Sequence, residues 1–534
     1  MTAERLPKKE RMDKHMKKLL AMLLTLALLL GCAGGVLADD VKTVKGWGAF
    51  SFNDQTGLTS YSQQLIWQEV EKRLGVKVDW TTVSANDKTT MFSLTMADPA
   101  NLPDFFTDMN PLNYEEFGRL GALAALNDYI TPEKMPNLCA LIDQDPAVLA
   151  SITSADGNIY FFPRIMVAPT RYWNGLFIRE DFLKEVGKEI PTTTEEFYEA
   201  CKAIKEGIDT IEYPIAMNQE GLKSLVWSWD VGARGTGCST TDDTYVKDGK
   251  LAYGPTDEKY REALTWLNKL YAEGLITPDW NSITGNDIRT DIVTKTAAVC
   301  SGSFSGVMST YNSLLVADGQ GEALTYINPM KGPEGAYAWQ GHHCAIDLGC
   351  GGAVSSTCSD VDSVLKVVDY LYSDEGRELV YWGVEGETFN IVDGKHVFTD
   401  KVTSSELGTL IYLNNYSNNT SLYPSAMITE FYHATLSERA AQGNLEITAL
   451  GEAHDIRMPA LRYSEEEITE VNTILVDLNN YVDEWFALFV NGTRDIADDA
   501  TWQEYLKGFD GLRLEELMGY YEAAYERWQE IANK

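Results

Sequence analysis

The sequence predicts an α/β protein of two lobes joined by two or three crossings, and three observations point there. At 534 residues the chain exceeds what one ordinary hydrophobic core organises, so two units are expected. A strand-helix-strand pattern of the kind that builds open parallel sheets occurs near residue 50 and begins again near residue 176. Between them lies an extended aromatic stretch, Tyr160 to Trp173, in which Pro163 and Pro169 remove backbone donors and hold their predecessors in extended geometry. That stretch reads as a crossing, with Arg171, Tyr172 and Trp173 placed where a cleft would open.

The composition, 44% hydrophobic and 11% aromatic, is that of a folded soluble protein, and a formal charge of −35 argues against nucleic acid or an anionic membrane as the partner. The first residues stand apart. Arg5, Lys8, Lys9, Arg11, Lys14, Lys17 and Lys18 outweigh Glu4, Glu10 and Asp13, and Leu19 to Leu30 is apolar save for Thr25. A basic region followed by an apolar run too short to span a bilayer comfortably is an export signal, here residues 1–38, with Met16-Lys17-Lys18 as a more usual start. Leu29-Leu30-Gly31-Cys32 resembles a lipobox, which would leave Cys32 as a lipid-bearing N-terminus. Val36-Leu37-Ala38 offers ordinary cleavage before Asp39; the lipoprotein reading is preferred because Gly-Cys sits at the end of the apolar run. Cys139, Cys201, Cys238, Cys300, Cys344, Cys350 and Cys358 show no Cys-x-x-Cys spacing, so free thiols are expected, with a Cys344–Cys350 or Cys350–Cys358 bridge left open.

Taken in order, Lys45 to Phe52 alternates as a strand, Gln63 to Leu74 sets Ile66, Val70 and Leu74 on one helical face ended by Gly75, and Val76 to Trp80 is the next strand. Met91 to Met96 suits a helix and Leu102 to Thr107 a third strand. Past the crossing, Leu176-Phe177-Ile178 is a strand and Arg179 to Val186 a helix ended by Gly187 and Pro191, after which Thr192 to Glu196 caps another helix. Pro214 to Met217 is strand-like, Trp227 and Trp229 fall in a loop, and Tyr260 to Tyr271 is a helical stripe closed by Gly274. Ala297 to Cys300 is a strand running into Gly302-Ser303-Phe304-Ser305-Gly306, after which no helix is expected. Tyr326 to Pro329 opens a second crossing; after one helix from Val361 to Tyr381, the glycine-punctuated Trp382 to Phe389 is a third. Glu466 to Lys534 is helical, with Met518, Tyr521, Tyr525 and Trp528 recurring at core spacing. The expected units are 39–162 with 329–382, and 163–328 with 383–534.

Several short motifs follow one another in a family order: Asp128-Tyr129-Ile130 with Met135-Pro136-Asn137, Tyr160 to Pro163, Phe177 to Leu183 with Pro191 to Thr194, and Leu270 to Ile276. Tyr372 to Gly376, Tyr381 to Gly386, Phe489 to Thr493 and Tyr520 to Trp528 complete the series. In these marks the chain resembles family 1 extracellular solute-binding proteins of ABC importers, in their lipoprotein-like branch, and is similar to the alginate-oligosaccharide-binding members. The resemblance implies a periplasmic-binding-protein-like fold of type II, an oligosaccharide held by hinge closure, and delivery to an ABC permease powered by a separate ATPase. Some of those relatives hold calcium in an acidic loop; Gly207 to Tyr213 lacks its alternation, so neither a metal nor any cofactor is expected. A monomer is expected, tethered to the membrane if Cys32 is processed.

A saccharide presents apolar ring faces and a rim of hydroxyls, so its site needs aromatic plates edged by polar side chains. Of the 13 tryptophans, Trp47, Trp173, Trp227, Trp229, Trp339 and Trp382 fall in predicted loops or crossings. Arg171 with Tyr172 and Trp173 leads, since a guanidinium clamps hydroxyls or an acidic sugar's carboxylate at two points; its plainer role is a salt bridge to a hinge carboxylate. Asp108 and Asn110 follow a strand at the edge where open sheets hold ligands, with loop capping as the alternative, and Ser303 and Phe304 follow a strand in the same way. Trp227, Trp229 and Trp339 are candidate plates, and Glu385 is assigned to the ligand or, preferably, to the hinge. His342-His343 beside Cys344 lacks further ligands at a zinc-like interval. The rival reading is a secreted carbohydrate-active enzyme, for which 79 acidic residues make carboxylate pairs uninformative; a peptide binder is a third.

Overall fold

In a computed structural model, residues 41–235, 243–341, 344–417, 423–452 and 454–534 are described. The export segment with Cys32, Cys238, and the His342-His343 pair lie outside the described residues.

Thirteen strands fall in the described residues: β1 Lys42–Ala49, β2 Val76–Val83, β3 Phe105–Thr107, β4 Phe162–Ile165, β5 Asn174–Arg179, β6 Thr244–Lys247, β7 Lys250–Tyr253, β8 Val299–Ser303, β9 Leu324–Ile327, β10 Ile346–Val354, β11 Phe389–Val392, β12 Lys395–Phe398 and β13 Ser425–Ala426. One sheet has the order β13-β4-β10-β3-β1-β2. Its strands are parallel except β10, which runs against both neighbours. The other has the order β8-β5-β9, with β5 against both neighbours, and Ile215 widens it by bridging to Val299 and Ile276. In each sheet the reversed strand is the one that has just arrived from the other lobe: β5 follows β4, and β10 follows β9.

Each sheet carries its own core. Val44, Trp47, Ile66, Val78, Phe105, Ile346, Val354 and Leu371 belong to the first, while Phe177, Ile204, Leu264, Leu267, Val299, Leu478 and Phe489 belong to the second. Local sequence explains the flanking helices. Leu65–Leu74 turns Ile66, Trp67 and Val70 inward and stops where Gly75 takes the left-handed conformation at φ 66. Glu465–Val490 opens with a reciprocal cap between Ser464 and Glu467 and buries Val471, Ile474, Leu478, Val482 and Phe486 along one face.

Among the described residues three segments, 166–173, 328–341 with 344–345, and 427–437, pass between the sheets. The third is not where the sequence predicts it. Gly383 and Gly386, at φ 88 and 81, turn the chain into the β11–β12 hairpin, so 382–389 is a turn within the first lobe. Phe389, Val402, Leu413, Tyr423, Ala426 and Phe431 all join the first core, which moves 383–417 and 423–431 out of the second unit expected for them. Two smaller corrections concern helices. Ser373 divides the expected 361–381 helix into Val361–Tyr372 and Asp374–Tyr381 by accepting the Gly376 N–H. Helical turns do follow Ser303, over Phe304–Ser309 and Thr310–Ala317.

Candidate functional site

The edge of the first sheet that faces the crossings is formed by the ends of β1 and β3 and the start of β10; that of the second by the start of β5 and the ends of β8 and β9. Open α/β sheets hold ligands at such strand ends.

Asp108 ends β3 in the left-handed region, at φ 72, and is fully buried. Its Oδ2 accepts the Ala49 N–H and the Tyr61 hydroxyl, each at 2.7 Å. A Cβ at residue 48 would come within 2.6 Å of that oxygen, which is why glycine stands there. Burial pushes the carboxyl up to about 8, against the pull of Tyr61, Ala49 and Lys88. The Asp108 side chain thus braces β1 against β3 from a buried position. Asn110 takes the capping role foreseen for it and also borders open space. It caps helix Pro111–Arg119 through the Asn113 N–H and lines two grooves, of about 440 and 310 Å³, that also touch Leu112 and, from the second lobe, Tyr463, Ile468 and Asn472.

Arg171 takes its plainer role. Nε donates to the Met166 carbonyl at 2.8 Å and Nη2 pairs with Asp145, which joins two helices of the first lobe. Tyr172 is buried; its hydroxyl donates to Asp455 at 3.0 Å, and Asp455 pairs with Arg457 at 2.5 Å. Burial and the Asp455 charge push the phenol above its usual range. The Tyr172 carbonyl accepts from Asn444, whose Oδ1 lies 2.9 Å from His433 Nε2, so the first crossing is laced to the third. Trp173 is half-buried and stacks on Tyr432, with centroids 5.5 Å apart and planes 11° from parallel. Thus Arg171, Tyr172 and Trp173 come together between the lobes; Tyr172 is buried, while Arg171 and Trp173 each keep a partly open side chain.

The other tryptophans are filled in by packing. Trp227 and Trp229 sit on the tight turn Leu225–Trp229 and are buried, Trp227 edge-on to Trp339 at 5.3 Å and Trp229 against Trp266 at 5.2 Å. Trp227 Nε1 donates to the Ala233 carbonyl, and Phe304 is buried against Phe177. These four, with Trp47 in β1 and Trp382 against His396, show no open face, a correction to the expectation of loop plates. Ser303 remains half-exposed, its Oγ accepting the Gly306 N–H at 2.8 Å. Glu385 is exposed in the turn before β11, away from the crossings. Cys344 donates to the Met458 carbonyl rather than to a second sulfur.

Sequence reading missed a set of polar groups inside the crossings. Gln340 is 2% exposed, yet neither atom of its amide has a hydrogen-bond partner among the described residues; the same holds for Tyr432 Oη and Asn328 Oδ1. It also passed over Phe50 and Phe52, half-exposed at the end of β1 and edge-to-face at 4.8 Å, and the Tyr412–Tyr416 pair at 4.9 Å. The Asn53 N–H to Asn415 bond, 2.6 Å, brings the two pairs to the same edge. Aromatics alternating straight off a strand end were the available signal.

Two lobes with separate cores, each holding one strand delivered by the other, and crossings that carry unsatisfied polar groups define a hinged binding protein. The chain belongs to the family of bacterial extracellular solute-binding proteins, whose model matches residues 53–378. It is 24% identical over 533 residues to the fructooligosaccharide ABC transporter substrate-binding protein FusA of Streptococcus pneumoniae, covering 89% of this chain and 88% of that one. Lipoprotein LipO of Bacillus subtilis is 24% identical over 407 residues, 73% of this chain and 77% of that one. The crystal structure of the alginate-binding protein AlgQ2 without calcium ion shares the fold, with TM-score 0.70 at 22% identity over 91% of this chain and 98% of that one. The family and these relatives are binding proteins, not enzymes.

Proposed function

We propose that this chain is the extracellular substrate-binding component of an ABC importer, which captures an oligosaccharide by closing its lobes and hands it to the permease. The observation that carries the reading is the pairing of neutral polar groups without partners, on Gln340, Asn328 and Tyr432, with the half-exposed rings of Trp173, Phe50 and Phe52. Saccharides need both, apolar faces to stack and donors and acceptors at the rim. Burying such polar groups without partners costs free energy, which a ligand's hydroxyls offset on closure. Asn110 and Ser303 supply further polar contacts from the two sheet edges. A ligand shifts the open-closed balance only by its differential affinity for the closed form, and micromolar binding, roughly −8 kcal/mol, lies within reach of two stacked rings and several such hydrogen bonds. The fructooligosaccharide role of FusA and the alginate role of AlgQ2 support the solute class.

Export with a diacyl tether at Cys32 fits the basic and apolar leader and the lipoprotein name of LipO, and no helix among the described residues is long and apolar enough to cross a membrane. The mature protein acts as a monomer. Calorimetry against a panel of oligosaccharides, with chromatography of the same mixtures after incubation, tests the reading: it requires saturable binding of an oligosaccharide that is recovered intact. Cleavage products, or binding confined to peptides, would refute it.

A further inference from the structure

The charged and neutral groups around the crossings are used in opposite ways. The arginines there are each matched by a carboxylate: Arg171 by Asp145, Arg457 by Asp455, and Arg164, at the end of β4, by Asp347 at 2.7 Å. A guanidinium already holding a carboxylate gains little net charge attraction for a second one, and releasing the first leaves an unpaired charge behind. One carboxylate there makes no ion pair among the described residues. Glu446, on helix Glu438–Gly451, receives the amides of Gln442 at 3.0 Å and Asn328 at 3.3 Å and the Tyr326 hydroxyl, and these bonds hold it below the usual carboxylate range despite partial burial. It therefore stays ionised beside the second crossing. Lys88 makes no ion pair among the described residues, but its ammonium bonds the Asp108 carbonyl oxygen at 3.3 Å. Among the uncharged groups, the Gln340 amide, the Tyr432 hydroxyl and Asn328 Oδ1 have no hydrogen-bond partner among the described residues. The chain as a whole carries −35, which opposes the approach of an anion.

We infer that the solute is a neutral oligosaccharide, recognised through hydroxyls by Gln340, Asn328 and Tyr432, and that oligomers of uronic acids are excluded. This rests on the oligosaccharide reading above and narrows it. The use sketched for Arg171 from sequence, clamping an acidic sugar's carboxylate, is thereby set aside.

The test is calorimetry with two families of probe, neutral fructo-, gluco- and galacto-oligosaccharides against oligogalacturonate and oligoalginate, at 50 and 500 mM NaCl. A neutral probe should bind with a Kd that changes less than twofold between the two salts, since no ion pair to the solute is formed, and uronides should bind at least a hundredfold more weakly. Gln340→Ala should weaken the neutral probe tenfold or more with the melting temperature kept, and Lys88→Met should leave it unchanged. Tighter binding of a uronide that weakens with salt or with Lys88→Met would overturn the inference while leaving an oligosaccharide binder in place. Binding of neither family would refute the oligosaccharide reading itself, and this inference with it.

Discussion

Arg171 holds two oxygens at once, the Met166 carbonyl within its own crossing and the Asp145 carboxylate in the first lobe. Truncating it removes a charge-assisted bond from a partly buried place, so Arg171→Ala should lower unfolding stability in urea by about 1–3 kcal/mol, with Asp145→Asn costing a similar amount and the double variant less than their sum. Asp108 gives a pH signature. Its folded-state value, up at about 8, exceeds the ordinary 3.8, so the folded protein holds a proton that the unfolded chain releases above pH 4. Its contribution is present in full below about pH 4 and is lost as pH rises to about 8, beyond which both states are ionised. Asp108→Asn keeps an acceptor for Ala49 and Tyr61 without the titration, so between pH 5 and 8 the native chain should lose more melting temperature than the variant. Asp108 and Arg171 were legible as residues of interest because they sit at a strand end and in a strap. Their partners were not: Tyr61 and Asp145 lie 47 and 26 residues away. Trp227 and Trp229 misled because a loop tryptophan and a buried one differ only in what packs over them, here Trp339 and Trp266.

Among elements, the joint between helix Pro111–Arg119 and the chain leading into helix Glu465–Val490 ties the lobes together. Arg462 Nε donates to the Ser151 carbonyl at 2.6 Å and lies 3.2 Å from Glu115, with both side chains almost wholly buried, while its guanidinium sits over Phe161. Burial pushes Glu115 up against the pull of Arg462 and Arg119, so removing the cation strands a buried acid. Arg462→Ala should cost about 3–5 kcal/mol in chemical denaturation, and Glu115→Gln with Arg462→Met should recover much of it. Helices such as Leu65–Leu74 and Glu258–Ala272 were readable because their apolar spacing and glycine stops are local. The 382–389 turn was not, since glycines punctuate a strap and a hairpin alike, and its partner strand, β12, lies beyond the stretch that was read.

At the scale of the whole molecule, length and the recurrence of the strand-helix-strand pattern sufficed for two lobes. The return of 383–417 and 423–431 to the first core could not be read, because it depends on Tyr423 meeting residues hundreds of positions earlier, as the Trp67 to Tyr423 bond at 3.1 Å illustrates. The lipoprotein reading gives a direct outcome: the chain expressed with its leader should partition with membranes, and Cys32→Ala should release it to the soluble fraction. Closure around a solute is most directly tested by small-angle X-ray scattering, on the free protein and with the saturating neutral oligosaccharide found by calorimetry. Hinged capture requires a smaller radius of gyration in the bound state and a fully reversible return when the sugar is removed. An unchanged scattering profile at full occupancy would contradict it.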